Sequence, residues 1–367
     1  MARISPQKIR RIAINTGGGD APGLNAVIRA ATLAALNRGW EVLGIRRGYS
    51  SLLGGEPMLK LDRNAVRGIA HLGGTILGST NKDNPFEIGV KLPGMRRKRP
   101  AAEVVVEAFR KHRIDGLLAV GGDGSLRIAH GLMRMGLPII GVPKTIDNDL
   151  PGTHRTFGFD TAVQTATEAI DKLHCTAQAH DRVMVVEVMG RYAGWIALHS
   201  GLASSSDVIL LPEIPFTMKS VCAHLALRRK TGRNYGIVVA SEGAVPKGGG
   251  RFIQSPKTKG REARLGGIGA WVASEIQRCT GLETRALVLG HLQRGGSPST
   301  YDRLLALRYG AAAVRLAEAG LWGHMVAYHP PGMSYITLEE ATRSIKTVPV
   351  DGDTVLTGRD LGICFGD

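Results

Sequence analysis

The chain has 367 residues, 43% of them hydrophobic, and 47 lysines and arginines against 31 aspartates and glutamates give it a formal net charge of +16. That balance excludes a disordered or fibrous chain and suits a globular protein of two or three domains. No apolar run reaches the roughly 18 residues of a membrane span, and the positive excess suits an anionic partner, either phosphorylated metabolites or a nucleic-acid backbone.

The opening MARISPQKIRR is basic, but the polar, glycine-rich NTGGGDAPG follows it, so no signal peptide is expected and the cytoplasm is the expected compartment. Strands are predicted at RIAIN (11–15), EVLGI (41–45), GLLAV (116–120), PIIGV (138–142), VMVVEVM (183–189), VILLP (208–212), GIVVAS (236–241) and ALVLG (286–290). Between them NAVIRAATLAALNRG, DTAVQTATEAIDKLH and IGAWVASEIQRCTG carry helical periodicity, the first and third ending at Gly39 and Gly281. Continuous apolar strands alternating with helices specify an α/β fold with mainly parallel sheets covered on both faces, and this many strands predict two doubly wound units. Much of the positive charge falls in two stretches, 91–100 and 246–264, which read as exposed loops. Cys175, Cys222, Cys279 and Cys364 lie far apart with no CxxC pair, so buried free thiols are expected rather than a disulfide framework or a zinc site.

In open α/β sheets ligands bind outside the carboxyl ends of the strands. Six of the predicted strands feed polar or glycine-rich loops there, and these hold Asp20, Asp123, Asp147, Arg191, Glu242, His291 and Arg294. TGGGDAPG and GGDGS both run from a strand into a helix, where backbone N–H groups can approach phosphate oxygens. Neither is a GxxxxGK[ST] P-loop. The stretch GVPKTIDNDL puts Lys144, Thr145, Asp147 and Asp149 at the lip of a buried strand, where charge is costly. Turn chemistry alone accounts for Asp and Asn at a strand end. Phosphoryl transfer accounts for the whole set, since it needs a phosphate cradle, a divalent metal, a base on the acceptor hydroxyl and cations for the developing charge. Asp123 is placed to reach magnesium, and Asp147 with Asp149 can supply the base and its neighbour. Arg191 and Arg294 can supply positive charge, while His291, Arg285 and Arg182 can hold an anionic acceptor such as a sugar phosphate.

The blocks GGGDAPGLNAVIR, GGTILGS, GGDGS, TIDNDL, VEVMGRYAGWIA, ASEG and LGHLQRGGSPSTYDR, in this order from about residue 11 to about 325, resemble the phosphofructokinases. The resemblance implies two similar α/β domains with the active site between them. Residues 1–158 with about 295–345 would form the larger, donor-binding domain and 159–294 the smaller, sugar-phosphate-binding one. The tail 346–367 is unmatched and has no assigned role. The implied activity is phosphorylation of fructose 6-phosphate at C1, a step of glycolysis, with Mg2+.

Position by position, the resemblance places Gly18, Gly122, Asp123, Gly124 and Ser125 at the nucleotide, with Asp123 as the magnesium ligand. Asp147 is the base, Thr145 and Asp149 stand beside it, and Arg191 lies on the transferring phosphoryl group. Met189, Gly190, Glu242 and Arg294 contact the sugar. His291 with Arg182 and Arg285 holds the 6-phosphate, the two arginines coming from a neighbouring subunit, so a homotetramer with shared sites is implied. Asn81 stands where relatives often carry a donor-contacting arginine, and Lys82 is its expected substitute. Leu33 and its surroundings lack one effector-site arginine of the allosteric relatives.

Two positions bear on the donor. Pyrophosphate-using relatives tend to carry an aspartate where Gly124 stands, and glycine leaves room for the α-phosphate of ATP. They also tend to carry a lysine where Lys144 stands. The open glycine decides for ATP, with pyrophosphate as the alternative donor and sedoheptulose 7-phosphate as a possible second acceptor. NAD and lipid kinases share GGDG but lack TIDND paired with MGR. A non-catalytic metabolite-binding homologue is opposed by the intact Asp123, Asp147 and Arg191. Nucleic acid is not the expected partner, because aromatics make up only 5% of the chain and no stacking motif is present.

Overall fold

Runs of valine, isoleucine and leucine become strands where helices can cover both faces of the sheet, and each of the eight apolar runs does so. The computed structural model describes residues 9–82, 84–91, 98–256 and 264–367. Its strands are β1 (Arg11–Thr16), β2 (Glu41–Ile45), β3 (Leu59–Lys60), β4 (Gly89–Val90), β5 (Arg99–Pro100), β6 (Gly116–Gly121), β7 (Ile139–Pro143), β8 (Val183–Val188), β9 (Val208–Leu210), β10 (Gly236–Ser241), β11 (Ile253–Ser255), β12 (Arg264–Leu265), β13 (Thr284–Val288), β14 (His324–His329) and β15 (Gly332–Thr337).

Seven strands form the larger sheet in the order β15-β14-β7-β6-β1-β2-β3, and four form the smaller in the order β13-β8-β10-β9. The smaller sheet is parallel throughout; the larger is parallel from β14 to β2, with antiparallel β15 and β3 at its edges. Alternation along each strand sends side chains to opposite faces. In the larger sheet Ile12, Ile14, Leu118 and Val120 pack under α1 (Leu24–Leu36) and α8 (Thr300–Glu318). Ala13, Leu117 and Ile139 pack under α2 (Ala101–Lys111), α3 (Asp123–Arg134) and α9 (Leu338–Arg343). In the smaller sheet Met184, Val186 and Val188 face α4 (Phe159–Ala179) and α5 (Trp195–Ala203), while Val183 and Val185 face α6 (Met218–Lys230) and α7 (Ile268–Thr280).

One expectation is corrected. Cys222 of α6 and Cys279 of α7 are joined in a disulfide with Cα atoms 6.4 Å apart. The two helices pack side by side on one face, which brings together cysteines 57 residues apart in sequence. Cys175 is free but exposed rather than buried, and Cys364 is free and half-buried. The tail, left without a role by the sequence, docks on the smaller sheet. Cys364 pairs beside Val208, and Val348, Val355, Ile363 and Phe365 join that sheet's core around α10 (Asp353–Asp360). Its backbone bonds cover the β9 edge, with Ile209 N–H donating to Cys364 O at 2.9 Å and Cys364 N–H to Asp207 O at 3.0 Å. Of the two basic stretches, 92–97 and 257–263 lie outside the described residues.

Helix α8 packs closely on α1 at Gly310, where an added Cβ would lie 2.5 Å from Val27 O and 2.9 Å from Ala30 Cβ. Alanine gains about 1 kcal/mol of helix propensity over glycine, but overpacking a closed core costs about 1–3 kcal/mol, and here the obstruction is backbone. Gly310→Ala is therefore expected to lower stability by roughly 1–2 kcal/mol in urea unfolding. An increase would show that α1 and α8 part freely.

Candidate active site

In the larger sheet the chain leaves β1 toward β2 on one side, and β6 lies on the other, so the crevice between β1 and β6 is a switch point. A shallow, open-sided pocket sits there, lined by Asn15, Gly17, Thr80, Lys82, Val120 and Ser125. The glycine loops close tightly around Ser125: a Cβ on Gly17 would stand 2.8 Å from its Oγ, and one on Gly121 would stand 2.3 Å from its Cβ. The amides of Gly17 and Gly18 are taken, donating to Val120 O and Thr80 O at 2.9 Å each. The first-turn amides of α3 are donors a phosphate could use, because the N-cap Gly122 offers no side-chain cap. A Cβ on Gly124 would meet nothing within 4 Å, so the space above that turn is open. Asp123 begins α3, and its Oδ1 accepts from Arg127 Nε at 2.9 Å. Asn81 and Lys82 are both exposed; Lys82 lines the pocket, while Asn81 is not among its lining residues.

β7 then delivers the acidic loop. Lys144 N–H donates to Gly121 O at 3.0 Å, and Ile146 is fully buried in the core of the smaller sheet although β7 belongs to the larger. This one side chain anchors the loop across the seam. Asp147 N–H donates to Thr145 Oγ1 at 3.1 Å. Asn148, between the two aspartates, takes the left-handed conformation at φ 51°, which asparagine tolerates better than most residues. Asp147 Oδ1 and Asp149 Oδ1 are buried with no hydrogen-bond partner among the described residues.

The smaller sheet meets this loop with the carboxyl ends of β8 and β10, its own switch point. Gly190 holds a φ of 136°, and a Cβ there would stand 2.5 Å from Ser241 Oγ and 2.8 Å from Ala193 O. Ser241 Oγ donates to Gly190 O at 2.6 Å, and Gln293, fully buried, accepts from Met189 N–H at 3.3 Å. Arg191 and Glu242 follow on these loops. Arg294, on the short 3-10 turn Gly290–Arg294, reaches back to the larger sheet and donates to Asp20 O at 2.9 Å, while Lys144 Nζ donates to Gly19 O.

Charge is concentrated here and short of water. Burial raises the Asp147 pKa above the ordinary carboxylate range, against the pull of Arg294, Lys144 and Arg191. Burial, then the Asp147 charge, pushes Asp149 up to about 7. Glu242 is also pushed to about 7, by burial and then Asp147, with Arg191 and Arg294 opposing. Lys144 is driven down to about 7 by burial and Arg294.

Thus the structure gathers Gly18, Gly122, Asp123, Gly124, Ser125, Lys144, Thr145, Asp147, Asp149, Met189, Gly190, Arg191, Glu242 and Arg294 around one seam. His291, exposed, shares the turn of Arg294. Arg182 and Arg285 are elsewhere. They share Glu283, at 3.5 and 2.8 Å, at the amino ends of β8 and β13, away from the loops that follow those strands. Gln293 and Ser241 were not singled out by sequence, although they lie inside LGHLQRGGSPSTYDR and ASEG.

A phosphate-binding pocket on one sheet, facing buried carboxylates and cations supplied from both sheets, defines a phosphotransferase. The Phosphofructokinase family model matches residues 11–317. The ATP-dependent 6-phosphofructokinase of Chloroflexus aggregans is 50% identical over 365 residues, 98% of this chain and 99% of that one. The pyrophosphate--fructose 6-phosphate 1-phosphotransferase of Amycolatopsis mediterranei is 46% identical over 343 residues, 93% of this chain and 97% of that one. The T-state crystal structure of Pichia pastoris phosphofructokinase superposes with a TM-score of 0.78 at 30% identity, covering 97% of this chain but only 36% of the longer yeast chain. The chain belongs to the phosphofructokinase family.

The raised Glu242 pKa sets a stability test. Above pH 7 the folded protein holds a carboxylate whose charge it disfavours; the penalty shrinks as pH falls through the folded pKa and disappears only near pH 4, below the ordinary carboxylate value, where the unfolded chain is protonated as well. Glu242→Gln is expected to stabilise the fold by roughly 1–3 kcal/mol at pH 8 and negligibly at about pH 4. Thermal unfolding of both proteins at the two pH values reads this out, and a difference that does not change with pH overturns it.

Proposed function

We propose that this phosphofructokinase transfers the γ-phosphoryl group of ATP to the C1 hydroxyl of fructose 6-phosphate, as a glycolytic enzyme of the cytoplasm. The base assignment is carried by one observation: Asp147 Oδ1 is buried and unpartnered amid Lys144, Arg191 and Arg294. An unpartnered buried oxygen is costly unless a substrate group completes it, and the C1 hydroxyl is a donor that does so. Asp147 takes the hydroxyl proton as the C1 oxygen bonds to the γ-phosphorus and the bond to ADP breaks. Arg191 balances the charge on the transferring group, while Thr145 and Asp149 hold the loop. Met189, Gly190, Glu242 and Arg294 contact the sugar.

Asp123 fits a magnesium site. A half-exposed carboxylate at a bare helix N-terminus suits a metal whose other ligands are nucleotide phosphate oxygens and water. Bound there, the metal neutralises the phosphates.

His291 faces the 6-phosphate, and Arg182 and Arg285 complete that pocket from a neighbouring subunit of a homotetramer. Two features support this. Both arginines lie at the far end of the smaller sheet within one chain, and the edge strand β13 leaves Leu287, Val288 and the following Leu292 exposed at 36%, 54% and 68%. ATP is the donor because the space beyond Gly124 is open. Pyrophosphate is the second reading, favoured by Lys144 and by the name of the Amycolatopsis relative.

Initial rates with fructose 6-phosphate and magnesium, comparing ATP with pyrophosphate at matched concentrations, decide the donor. ATP is expected to be faster, and Gly124→Asp to cost at least about tenfold in kcat/KM for ATP through repulsion of the α-phosphate. Faster turnover with pyrophosphate overturns the assignment. Asp147→Asn is expected to lower kcat about 10²–10⁴-fold, the usual contribution of a general base, with folding unchanged by circular dichroism. Near-normal kcat in that variant removes Asp147 as the base.

A further inference from the structure

The segment between α9 and α10 crosses from the larger sheet to the smaller, and its hydrogen bonds land on both sides of the site. Lys346 N–H donates to Asp149 O at 2.8 Å. Lys346 Nζ donates to Asn148 Oδ1 at 3.0 Å, Thr153 O at 3.0 Å and His154 O at 3.1 Å. These acceptors use all three ammonium hydrogens. Lys346 O accepts from Trp195 Nε1 at 3.0 Å, and the ammonium lies 5.7 Å from the centre of that ring. Two residues on, Val348 N–H donates to Glu213 Oε1 at 2.8 Å, and the same oxygen accepts from Gly194 N–H at 3.0 Å. Gly194 closes the loop that carries Arg191.

One lysine therefore grips the acidic loop at Asn148 and Asp149, the residues directly after Asp147. Asn148 is the left-handed residue of the turn, and its Oδ1 also accepts from Thr156 N–H at 3.1 Å. A turn that places two carboxylates side by side is under mutual repulsion, and a buried cation is the simplest way to hold it. Met or Leu would fill the space but leave the carbonyls of Thr153 and His154 without this donor and Asn148 Oδ1 with Thr156 N–H alone.

We propose that Lys346 is a positioning residue for Asp147: it fixes the turn that aims the base, and the strap around it ties that turn to the Gly194 end of the Arg191 loop. The inference rests on the reading of Asp147 as the base. The charged and titratable groups facing the ammonium are Asp149, Arg155 and His154, all on the loop after β7.

Steady-state kinetics of Lys346→Met, Lys346→Gln and Lys346→Arg in the full chain test it. In Lys346→Met, kcat is expected to fall about tenfold or more with KM for both substrates within about twofold, since a displaced catalytic group loses rate rather than binding. The acid limb of the kcat/KM profile is expected to move to higher pH, because a lost cation makes the nearby carboxylates harder to ionise. Lys346→Arg recovers part of the rate. A kcat within about twofold of the parent with an unmoved acid limb overturns the proposal, as does a loss confined to thermal stability. Should the methionine variant not fold, Lys346→Gln, whose amide keeps two N–H donors, is judged by the same criteria. The two readings fail separately: normal turnover in Asp147→Asn removes the base, whereas an inactive Asp147→Asn beside a normal Lys346→Met removes only the positioning role.

Discussion

A carboxylate that gives up water keeps its charge only where cations stand in for that water, and this requirement organises the seam between the two sheets. Asp147 is raised by burial and restrained by Lys144, Arg191 and Arg294. No single strand can deliver all three. Lys144 arrives on the same loop, Arg191 follows β8, and Arg294 ends a turn beyond β13. The site therefore exists only when both sheets are folded and in contact. That explains why the contacts across the seam are specific rather than merely apolar: Ile146 plugs into the smaller sheet's core, and Arg294 reaches back to Asp20 O.

The same seam shows why close packing and function coincide at the loops. Gly190 occupies a conformation that side chains rarely adopt, and a Cβ there has no room. Its carbonyl is held by Ser241 and by the amide of Gly243, and its neighbour Met189 is held by Gln293. These partners make no chemistry of their own. They fix the direction in which the following residue, Arg191, leaves the sheet, which matters for the phosphoryl contact proposed for its guanidinium.

Much of this was legible in the sequence, and for a physical reason. The strands bury both faces, so they read as unbroken apolar runs such as GLLAV and GIVVAS, and the loops at their carboxyl ends read as bursts of glycine and charge. What escaped had no such contrast. β14 and β15, HMVAYH and GMSYIT, flank Pro330 and Pro331 and mix polar with apolar residues; β15 is the sheet edge and β14 pairs with β7 at only two positions. The Cys222–Cys279 disulfide depends on how α6 and α7 lie against each other, which neither cysteine's local sequence encodes. Lys346 is a single lysine in the polar run ATRSIKTVP, and only the fold shows that its acceptors are the turn at Asn148.

The proposed site divides substrate recognition between chains. The pocket for the donor is built wholly from the larger sheet, between β1 and β6, so one chain is sufficient for it. On the proposed sugar side one chain offers Glu242, Arg294 and His291, and only one of these is a permanent cation, too little to hold a dianionic phosphate away from water. Arg182, mostly buried, and Arg285, exposed, are held apart from the seam by Glu283 at the amino ends of β8 and β13. Beside them β13 presents apolar side chains that a solitary domain would cover. A pair of arginines displayed next to an uncovered edge makes sense as the contribution of one subunit to the site of the next. Assembly and affinity for the sugar phosphate would then be one equilibrium, because binding at the shared site adds its free energy to the contact between subunits.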